Sequence, residues 1–273
     1  MPNATLVLLD GLERRDPADP VLPVEDLGVL RGESVFETVR IAGGRPAYLD
    51  AHLTRLTRSA ARLAIDLPAG WHELAMAACE GWTDGVLRLV CTKGAPPRPG
   101  IGFALVTPMS AEAVAGRSGV TAMTLTLGVS AAQRAQAPWL LGGVKSTSYA
   151  VNMASLRHAA DQGADDVVWL SSDGEVLEAP TSTVVVVHNG VLVSPPTSVG
   201  ILAGTTLRAV LDLGLAPSEV RRLSAAELVG ADEILLLSSI RGVAPVVRLD
   251  GRELGVGPMG ALLPGAFEAA LQP

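Results

Sequence analysis

Short runs of alternating apolar and polar residues, separated by turn residues, dominate the first part of the chain. Alternation with a period of two residues is typical of strands, and apolar residues three or four positions apart are typical of helices. These patterns predict strands at Thr5–Leu9, Ser34–Ile41, Arg45–Tyr48, Val86–Thr92 and Ile101–Thr107, and helices from about Asp50 and over Trp71–Glu80. Gly43-Gly44 lies where the chain must reverse, which predicts a hairpin there.

The second part of the chain is denser in strand patterns. A helix is predicted over 150–162 and another over Gly204–Leu213. The predicted strands are Asp166–Ser171 with a return at Glu175–Glu178, Thr183–Val187, Val191–Val193, Glu233–Ser238 and Val243–Leu249. Asn189-Gly190 is typical of a two-residue hairpin turn.

Hairpins with interspersed helices predict an α+β fold in two domains, and they argue against a doubly wound parallel sheet. The segment 131–142 shows little periodicity and is interpreted as a linker. We therefore expect a smaller α+β domain at 1–130, the linker at 131–142, and a larger β-rich domain at 143–273.

Composition narrows the possible partners. Hydrophobic residues make up 48% of the 273 positions, so a sizeable core can be buried. The net charge of −7 argues against nucleic acid or an anionic membrane as the main partner. No apolar stretch is long enough to span a membrane, and the N-terminal run lacks the basic region of a secretory signal. Cys79 and Cys91 have no metal-ligand spacing and fit a reducing cytoplasm, so we expect a cytoplasmic protein without a metal.

The basic residues are unusual, because only two of the 21 are lysines, Lys93 and Lys145. Where a cation alone is needed, this sequence uses arginine. A retained lysine indicates chemistry that arginine cannot perform, and formation of a Schiff base is one example because it needs a primary amine. Lys93 follows a predicted strand and is interpreted as a solvated turn residue.

Several common catalytic motifs are missing from the sequence. The stretch GGVKSTSY resembles a phosphate-binding loop, but Val144 and Trp139 stand where that loop requires glycine. No GxGxxG follows a predicted strand, which argues against a dinucleotide fold. The four histidines form no HExxH pair and no GxSxG is present, so metal-dependent and triad hydrolysis both lack their residues.

The remaining polar residues suit a phosphorylated aldehyde cofactor. Lys145 follows two glycines, and Tyr149 lies about one helical turn further on. A carboxylate at Glu178 could hold a pyridinium nitrogen in its protonated form. Thr205 and Thr206 begin a predicted helix, where free N–H groups and hydroxyls can bind an anion. Each residue alone also has an ordinary structural explanation, as a packed tyrosine, a solvated glutamate or a helix cap.

The stretch LLLSSIRGVAPV adds a serine pair and Arg241 at a strand end, which could hold phosphate or carboxylate. Together with RGESVFETVR, LDAHLTRL, LRLVCTKG, GGVKSTSYAVNMASLRHA, GADDVVWLSSDGEVLEAPTSTV and GILAGTTLRAVL, it makes the chain resemble the fold-type IV pyridoxal-phosphate family from about Gly28 to Val247. That family includes branched-chain and D-amino acid aminotransferases and 4-amino-4-deoxychorismate lyases.

The resemblance implies a role for each matching residue. Lys145 corresponds to the Schiff-base lysine and proton shuttle, and Arg55 to the arginine that clamps the cofactor phosphate. Tyr149 and Glu178 correspond to the groups on the ring oxygen and ring nitrogen. The further phosphate contacts implied are Thr205, Thr206 and Ser239. The family also implies pyridoxal 5'-phosphate as cofactor and a homodimer, with the larger domain binding the cofactor.

Within the family, KSTSYAVNMASLR and SSIRGVAP most resemble the lyases. Thr38 matches a position where lyases often carry a hydroxyl, and it is the second catalytic candidate. Many transaminases have a tyrosine near position 31, where this chain has Arg31. The candidates for binding the small-molecule substrate are Arg31, Arg88 and Arg241.

The expected reaction is elimination of pyruvate from aminodeoxychorismate, which leaves 4-aminobenzoate for folate synthesis. The main alternative is a branched-chain or D-amino acid aminotransferase that uses the same lysine. A non-catalytic binding protein is a third possibility, disfavoured because Lys145 and Glu178 are both kept.

Overall fold

A computed structural model describes residues 4–272 and divides the chain into two compact units. The first unit runs to Ser110 and also includes Val144–Tyr149 and the chain end from Leu271. Its strands are β1 (Thr5–Leu8), β2 (Arg14–Arg15), β3 (Ser34–Ala42), β4 (Arg45–Pro46), β5 (Asp84–Thr92) and β6 (Gly102–Thr107), and its helices are α1 (Leu27–Arg31), α2 (Leu49–Arg62) and α3 (Trp71–Cys79).

Within the described residues, the six strands of the first unit form one antiparallel sheet in the order β2-β1-β6-β5-β3-β4. Helices α2 and α3 pack on one face of the sheet. Leu56 and Leu74, one from each helix, are buried there against Val39 of β3 and Leu87 of β5. Because side chains alternate along a strand, the neighbouring residues of β3 and β5 point to the other face. Thr38 and Arg88 lie directly opposite each other on that face.

The second unit comprises Ala111–Gly143 and Ala150–Ala270. Its strands are β7 (Val120–Thr126), β8 (Asp166–Leu170), β9 (Thr183–His188), β10 (Val191–Ser194), β11 (Ser218–Val220), β12 (Glu233–Ser238), β13 (Gly242–Leu249) and β14 (Arg252–Glu253). Its helices are α4 (Ala111–Ala115), α5 (Ala131–Gln136), α6 (Ala150–Asp161), α7 (Thr205–Asp212), α8 (Ala225–Val229) and α9 (Pro258–Ala270).

Among the described residues, the second sheet has the order β11-β10-β9-β12-β13-β7-β8, with β14 paired to β13. The pairs β7–β8, β7–β13 and β10–β11 are parallel and the other pairs are antiparallel. The hairpin predicted at Asn189-Gly190 is confirmed, since Val191 pairs with His188 across it. The α+β class is also confirmed, because antiparallel hairpins and helices occur in both units.

Several features of the second unit differ from the sequence predictions. The return at Glu175–Glu178 is not a regular strand, since only a single bridge joins Val176 to Leu170. The helix α9 was not predicted, because its run of small and apolar residues with an internal Pro264 carries no clear helical period. Among the helices of residues 4–272, none combines the length and the hydropathy needed to cross a bilayer.

The segment interpreted as a linker contains a helix, α5. The side chain of Ser130 accepts a hydrogen bond from the backbone of Gln133, and the Gln133 side chain accepts one from the backbone of Ser130. Such a capping box stabilises a helix too short to show periodicity. The domain bounds 1–130, 131–142 and 143–273 stay a prediction; the compact units divide after Ser110.

The segment Val144–Tyr149 belongs to the first unit because its backbone extends the sheet at β3. The N–H of Phe36 donates to the carbonyl of Lys145 over 3.1 Å, and the N–H of Thr147 donates to the carbonyl of Ser34 over 2.9 Å. These bonds fix Lys145 beside the first half of β3.

Candidate active site

Lys145 is half-buried beside two aromatic rings of the first unit. Its Nζ lies 3.3 Å from the hydroxyl oxygen of Tyr149 and 4.3 Å from the centre of the Phe36 ring. The two rings meet edge to face, with their centres 5.1 Å apart. The backbone N–H of Lys145 donates to the hydroxyl of Ser59 over 3.1 Å, which ties the lysine to α2. A primary amine held in this way is positioned as a nucleophile and as an acid–base group.

Arg55 lies in a buried ion-pair cluster on the helix-covered face of β3. Its Nε and Nη2 atoms donate to the two carboxylate oxygens of Glu37, over 2.8 and 2.6 Å. Nδ1 of His52 lies 2.7 Å from the same carboxylate. Bidentate pairing fixes a guanidinium more firmly than a single contact does. Glu37 and His52 therefore hold Arg55 in one orientation.

The ionisation of this cluster follows from its burial and its contacts. Burial alone would raise the pKa of Glu37, but hydrogen bonds from Arg55 and His52 lower it to about 2. Burial lowers the pKa of His52, and the neighbouring Glu37 opposes that shift. The cluster is thus an arginine cation and a carboxylate bridged to a neutral imidazole near pH 7. Glu37 and His52 were not among the predicted site residues, although the H-x-x-R spacing puts His52 and Arg55 on one face of α2.

Thr38 and Arg88 lie on the same face of the sheet as Phe36. Thr38 is half-buried and Arg88 is exposed. Nη1 of Arg88 donates to the hydroxyl of Thr107 over 3.2 Å. Phe36 is two residues before Thr38 on β3, so the three side chains share the face next to the Lys145 amine.

Arg31 is the exposed last residue of α1. The following Gly32 has a φ of 69°, which ends the helix in a conformation that favours glycine. The Gly32 carbonyl accepts hydrogen bonds from the hydroxyls of Thr147 and Ser148, over 3.2 and 3.0 Å. These contacts fix Arg31 beside the segment that carries Lys145.

In the second unit, Glu178 has both carboxylate oxygens engaged. Oε1 accepts from Nη2 of Arg134 over 2.9 Å, and Oε2 accepts from the N–H of Leu202 over 3.0 Å. The side chains of Glu178 and Arg134 are 13% and 15% exposed, so this ion pair is largely shielded from water.

Thr205 and Thr206 occupy the first turn of α7, as the sequence predicted. Gly204 precedes them as the N-cap residue, and a Cβ there would lie 2.3 Å from the hydroxyl oxygen of Thr183. The glycine therefore lets the start of α7 approach β9 closely. The first-turn N–H groups of a helix favour an anion. Ser239 follows the last residue of β12 and is half-buried.

Arg241, a predicted substrate-binding residue, contacts other residues of the second unit. Its guanidinium is ion-paired with Asp166 and donates to the hydroxyl of Ser182 over 3.0 Å. Asp166 is only 1% exposed, so Arg241 neutralises a buried charge at the start of β8. The pair joins the end of β12 to β8, which gives Arg241 a structural function in the sheet.

Within the first unit, the structure thus brings Lys145 together with Tyr149, and Thr38 together with Arg88. Residues 34–249 of the chain match the family model for amino-transferase class IV. The chain belongs to the class IV aminotransferase family. Sequence and structure relatives support the same assignment for nearly the whole chain.

The class IV chain is 39% identical to a bifunctional aminodeoxychorismate lyase / D-amino acid transaminase from Mycobacterium tuberculosis, over 97% of this chain and 98% of the relative. It matches the pyridoxal-phosphate-bound form of a hypothetical aminotransferase from the same organism with a TM-score of 0.93 and 38% identity, covering 98% and 99% of the two chains. It matches a 4-amino-4-deoxychorismate lyase from Pseudomonas aeruginosa with a TM-score of 0.77 and 28% identity, covering 95% and 98%. The fold is therefore that of the fold-type IV enzymes.

The class IV enzyme uses pyridoxal 5'-phosphate, and the residues of the chain fit that cofactor. A half-buried primary amine, Lys145, is of the chemical type that reacts with an aldehyde. In the first unit, the buried guanidinium of Arg55 has the charge that a phosphate dianion needs. In the second unit, taken by itself, the first turn of α7 has N–H groups that favour an anion. A carboxylate fixed at both oxygens, Glu178, suits its ring nitrogen. The enzyme acts on small molecules.

Proposed function

We propose that this enzyme is an aminodeoxychorismate lyase, which eliminates pyruvate from 4-amino-4-deoxychorismate and releases 4-aminobenzoate for folate synthesis. The observation that carries the proposal is the Thr38 hydroxyl on the same face of β3 as Phe36, whose ring contacts the Lys145 amine. A lyase needs a proton transfer in its elimination step. Unlike a transaminase, it needs no keto acid to accept the amino group. A hydroxyl on the face of β3 that carries Phe36 supplies a second group for that transfer.

The proposed roles follow the chemistry of each side chain. Lys145 binds the cofactor covalently and removes the proton from the carbon that carries the substrate amine. Tyr149 donates to the ring oxygen and Glu178 accepts from the ring nitrogen. When bound, the cofactor supplies a ring that withdraws electrons from that carbon. The proposed phosphate contacts are Arg55 in the first unit and, in the second unit, Thr205, Thr206 and Ser239.

The substrate carries two carboxylates, and arginines suit both. Arg88 is the better candidate for the carboxylate across the ring from the amine, because it is exposed and lies opposite Thr38. Arg31 is the candidate for the enolpyruvyl carboxylate, because α1 is fixed to the Lys145 segment through Gly32. Arg241 is the weakest of the three candidates, because its contacts with Asp166 and Ser182 join β12 to β8 within the second sheet.

The test is to incubate the holoenzyme with aminodeoxychorismate and no keto acid. We expect pyruvate and 4-aminobenzoate in equal amounts, and only slow loss of the cofactor's aldehyde form with leucine or D-alanine. Fast cycling with branched-chain amino acids and 2-oxoglutarate, without release of 4-aminobenzoate, would overturn the lyase proposal.

A second activity, D-amino acid transamination, is favoured by the 39% identity of this chain to the bifunctional aminodeoxychorismate lyase / D-amino acid transaminase. It would use the same Lys145 and the same cofactor contacts. We also propose that the enzyme is a homodimer, by analogy with the family. We propose that it is cytoplasmic, because Cys79 and Cys91 are both buried thiols outside any disulfide. Sedimentation equilibrium of the holoenzyme tests the dimer.

A further inference from the structure

Arg134 lies in the segment 131–142, which the sequence pattern predicts to be a linker. Its guanidinium contacts two other parts of the second unit, Gly200 and Glu178. Its Nε donates to the carbonyl of Gly200 over 2.9 Å, and its Nη2 donates to Oε1 of Glu178 over 2.9 Å. The other oxygen of Glu178 accepts from the N–H of Leu202, two residues beyond Gly200. Arg134, the loop 200–202 and Glu178 therefore form a closed ring of contacts.

The backbone around this ring is built to let Arg134 lie flat on the loop. Gly200 has a φ of 81°, and a Cβ there would lie 2.7 Å from Cγ of Arg134. A Cβ at Gly142 would lie 2.7 Å from the carbonyl oxygen of Arg134. Any larger residue at either glycine would displace the arginine. The absence of a side chain at both glycines thus permits the close approach of Arg134 to the loop.

The helix that carries Arg134 is fixed at its start. Besides the capping box of Ser130 and Gln133, the N–H of Ala131 donates to the carboxylate of Asp173 over 3.0 Å. These contacts hold the first turn of α5, one turn before the guanidinium. Arg134 is therefore anchored on both sides, by its own helix and by the loop.

We propose that Arg134 is a positioning residue of the cofactor site, which fixes the orientation and the negative charge of Glu178. Each carboxylate oxygen can accept more than one hydrogen bond, so Glu178 can still accept from a ring nitrogen while Arg134 and Leu202 hold it. A carboxylate next to an arginine stays ionised to lower pH than one without it. The same loop leads into the first turn of α7, so Arg134 also links Glu178 to the proposed phosphate contacts.

The inference rests on the proposed role of Glu178, and it holds for a lyase and for a transaminase alike. Its test is a pH titration of the bound cofactor's absorbance in four holoenzyme variants, with thermal unfolding measured alongside. Arg134→Met keeps the aliphatic packing on Gly200 and removes the charge. Arg134→Lys keeps the charge, Glu178→Gln removes the carboxylate, and Ser130→Ala weakens only the cap of α5.

We expect Arg134→Met to move the acid limb of the titration to higher pH by about one unit, because the unpaired carboxylate is protonated more readily. Arg134→Lys should restore most of the wild-type titration. Ser130→Ala should lower the unfolding temperature and leave the titration unchanged, which separates positioning from mere support of the helix.

A wild-type titration in Arg134→Met, together with a changed titration in Glu178→Gln, would overturn the role of Arg134 alone. A wild-type titration in Glu178→Gln would show that Glu178 does not contact the ring nitrogen, and the inference would fall with that role. If Arg134→Met does not fold, Arg134→Gln replaces it with the same expected shift and the same contrary result.

Discussion

The hydroxyl oxygen of Tyr149 lies 3.3 Å from Nζ of Lys145, and the Lys145 amine and the Tyr149 ring both lie against the ring of Phe36. The edge-to-face contact of the rings holds the phenol in place, so its hydroxyl meets the amine at a fixed point. This arrangement joins the one reactive amine suggested by the sequence to a group that can exchange a proton with it.

The first prediction concerns covalent attachment of the cofactor. Lys145→Ala should lose the linkage and nearly all turnover, because no other amine lies beside Tyr149 among the described residues. Borohydride reduction followed by peptide mass spectrometry measures the linkage. Lys93→Ala is the matched control, since Lys93 is the only other lysine of the sequence and is ion-paired with Glu33. A peptide of Lys145→Ala that carries the reduced cofactor would refute the assignment of Lys145 as the attachment site.

The second prediction concerns the phosphate. Arg55→Ala should weaken cofactor binding by about 1.5–3 kcal/mol, roughly a 10- to 150-fold rise in Kd, because it removes a charge-assisted contact. Fluorescence titration of the apoenzyme with pyridoxal phosphate measures the affinity. Arg58→Ala removes the same charge from an exposed position of α2 and should leave the Kd unchanged. Equal Kd values for Arg55→Ala and Arg58→Ala would remove Arg55 from the site.

The third prediction follows from the buried carboxylate of Glu37. Its pKa is lowered from 4.5 to about 2, so its stabilising contribution is complete above pH 4.5 and is lost as the pH falls towards 2. The loss should be on the order of 3 kcal/mol in the free energy of unfolding. Urea unfolding at a series of pH values measures it.

The matched variant for this titration is Glu37→Gln, which keeps the shape of the side chain. It should be less stable near pH 7 and should lose less stability than the wild type between pH 4.5 and 2. Parallel pH dependence in the two proteins would show that Glu37 is not the group responsible.

The fourth prediction separates the lyase path from transamination through Thr38. Thr38→Gly should reduce 4-aminobenzoate formation by roughly 10²–10⁴-fold, the range for a lost acid–base group, and should reduce any D-alanine transamination less. Thr38→Ser keeps the hydroxyl and should retain most lyase turnover. Coupled assays for pyruvate from each substrate measure both rates. Equal losses in the two activities would make Thr38 an ordinary strand residue.

Much of the local structure could be predicted from the sequence because it depends on short-range periodicity. Alternation along β3 separates Phe36 and Thr38 from Glu37, and the structure places Glu37 on the face covered by α2. The predicted hairpin and the start of α7 at Thr205 are likewise local features. The scarcity of lysine made Lys145 the candidate amine without any structural information.

The parallel pairing of β7 with β8 and β13 could not be predicted from the sequence, because the paired strands are far apart along the chain. The helix α5 was missed for a different reason. It is only six residues long, so its capping box, not its periodicity, was the available signal.

The sequence by itself determined the chemical types present: one amine suited to a carbonyl cofactor, a glutamate after a strand and hydroxyls at the start of a helix. Only the tertiary structure decided which charges meet. Arg134 reaches Glu178 across 44 positions and Arg241 reaches Asp166 across 75, while Glu37 holds Arg55 across 18. Local periodicity carries no information on such pairs. Burial selects them, because a charge removed from water must find its partner wherever the fold brings one.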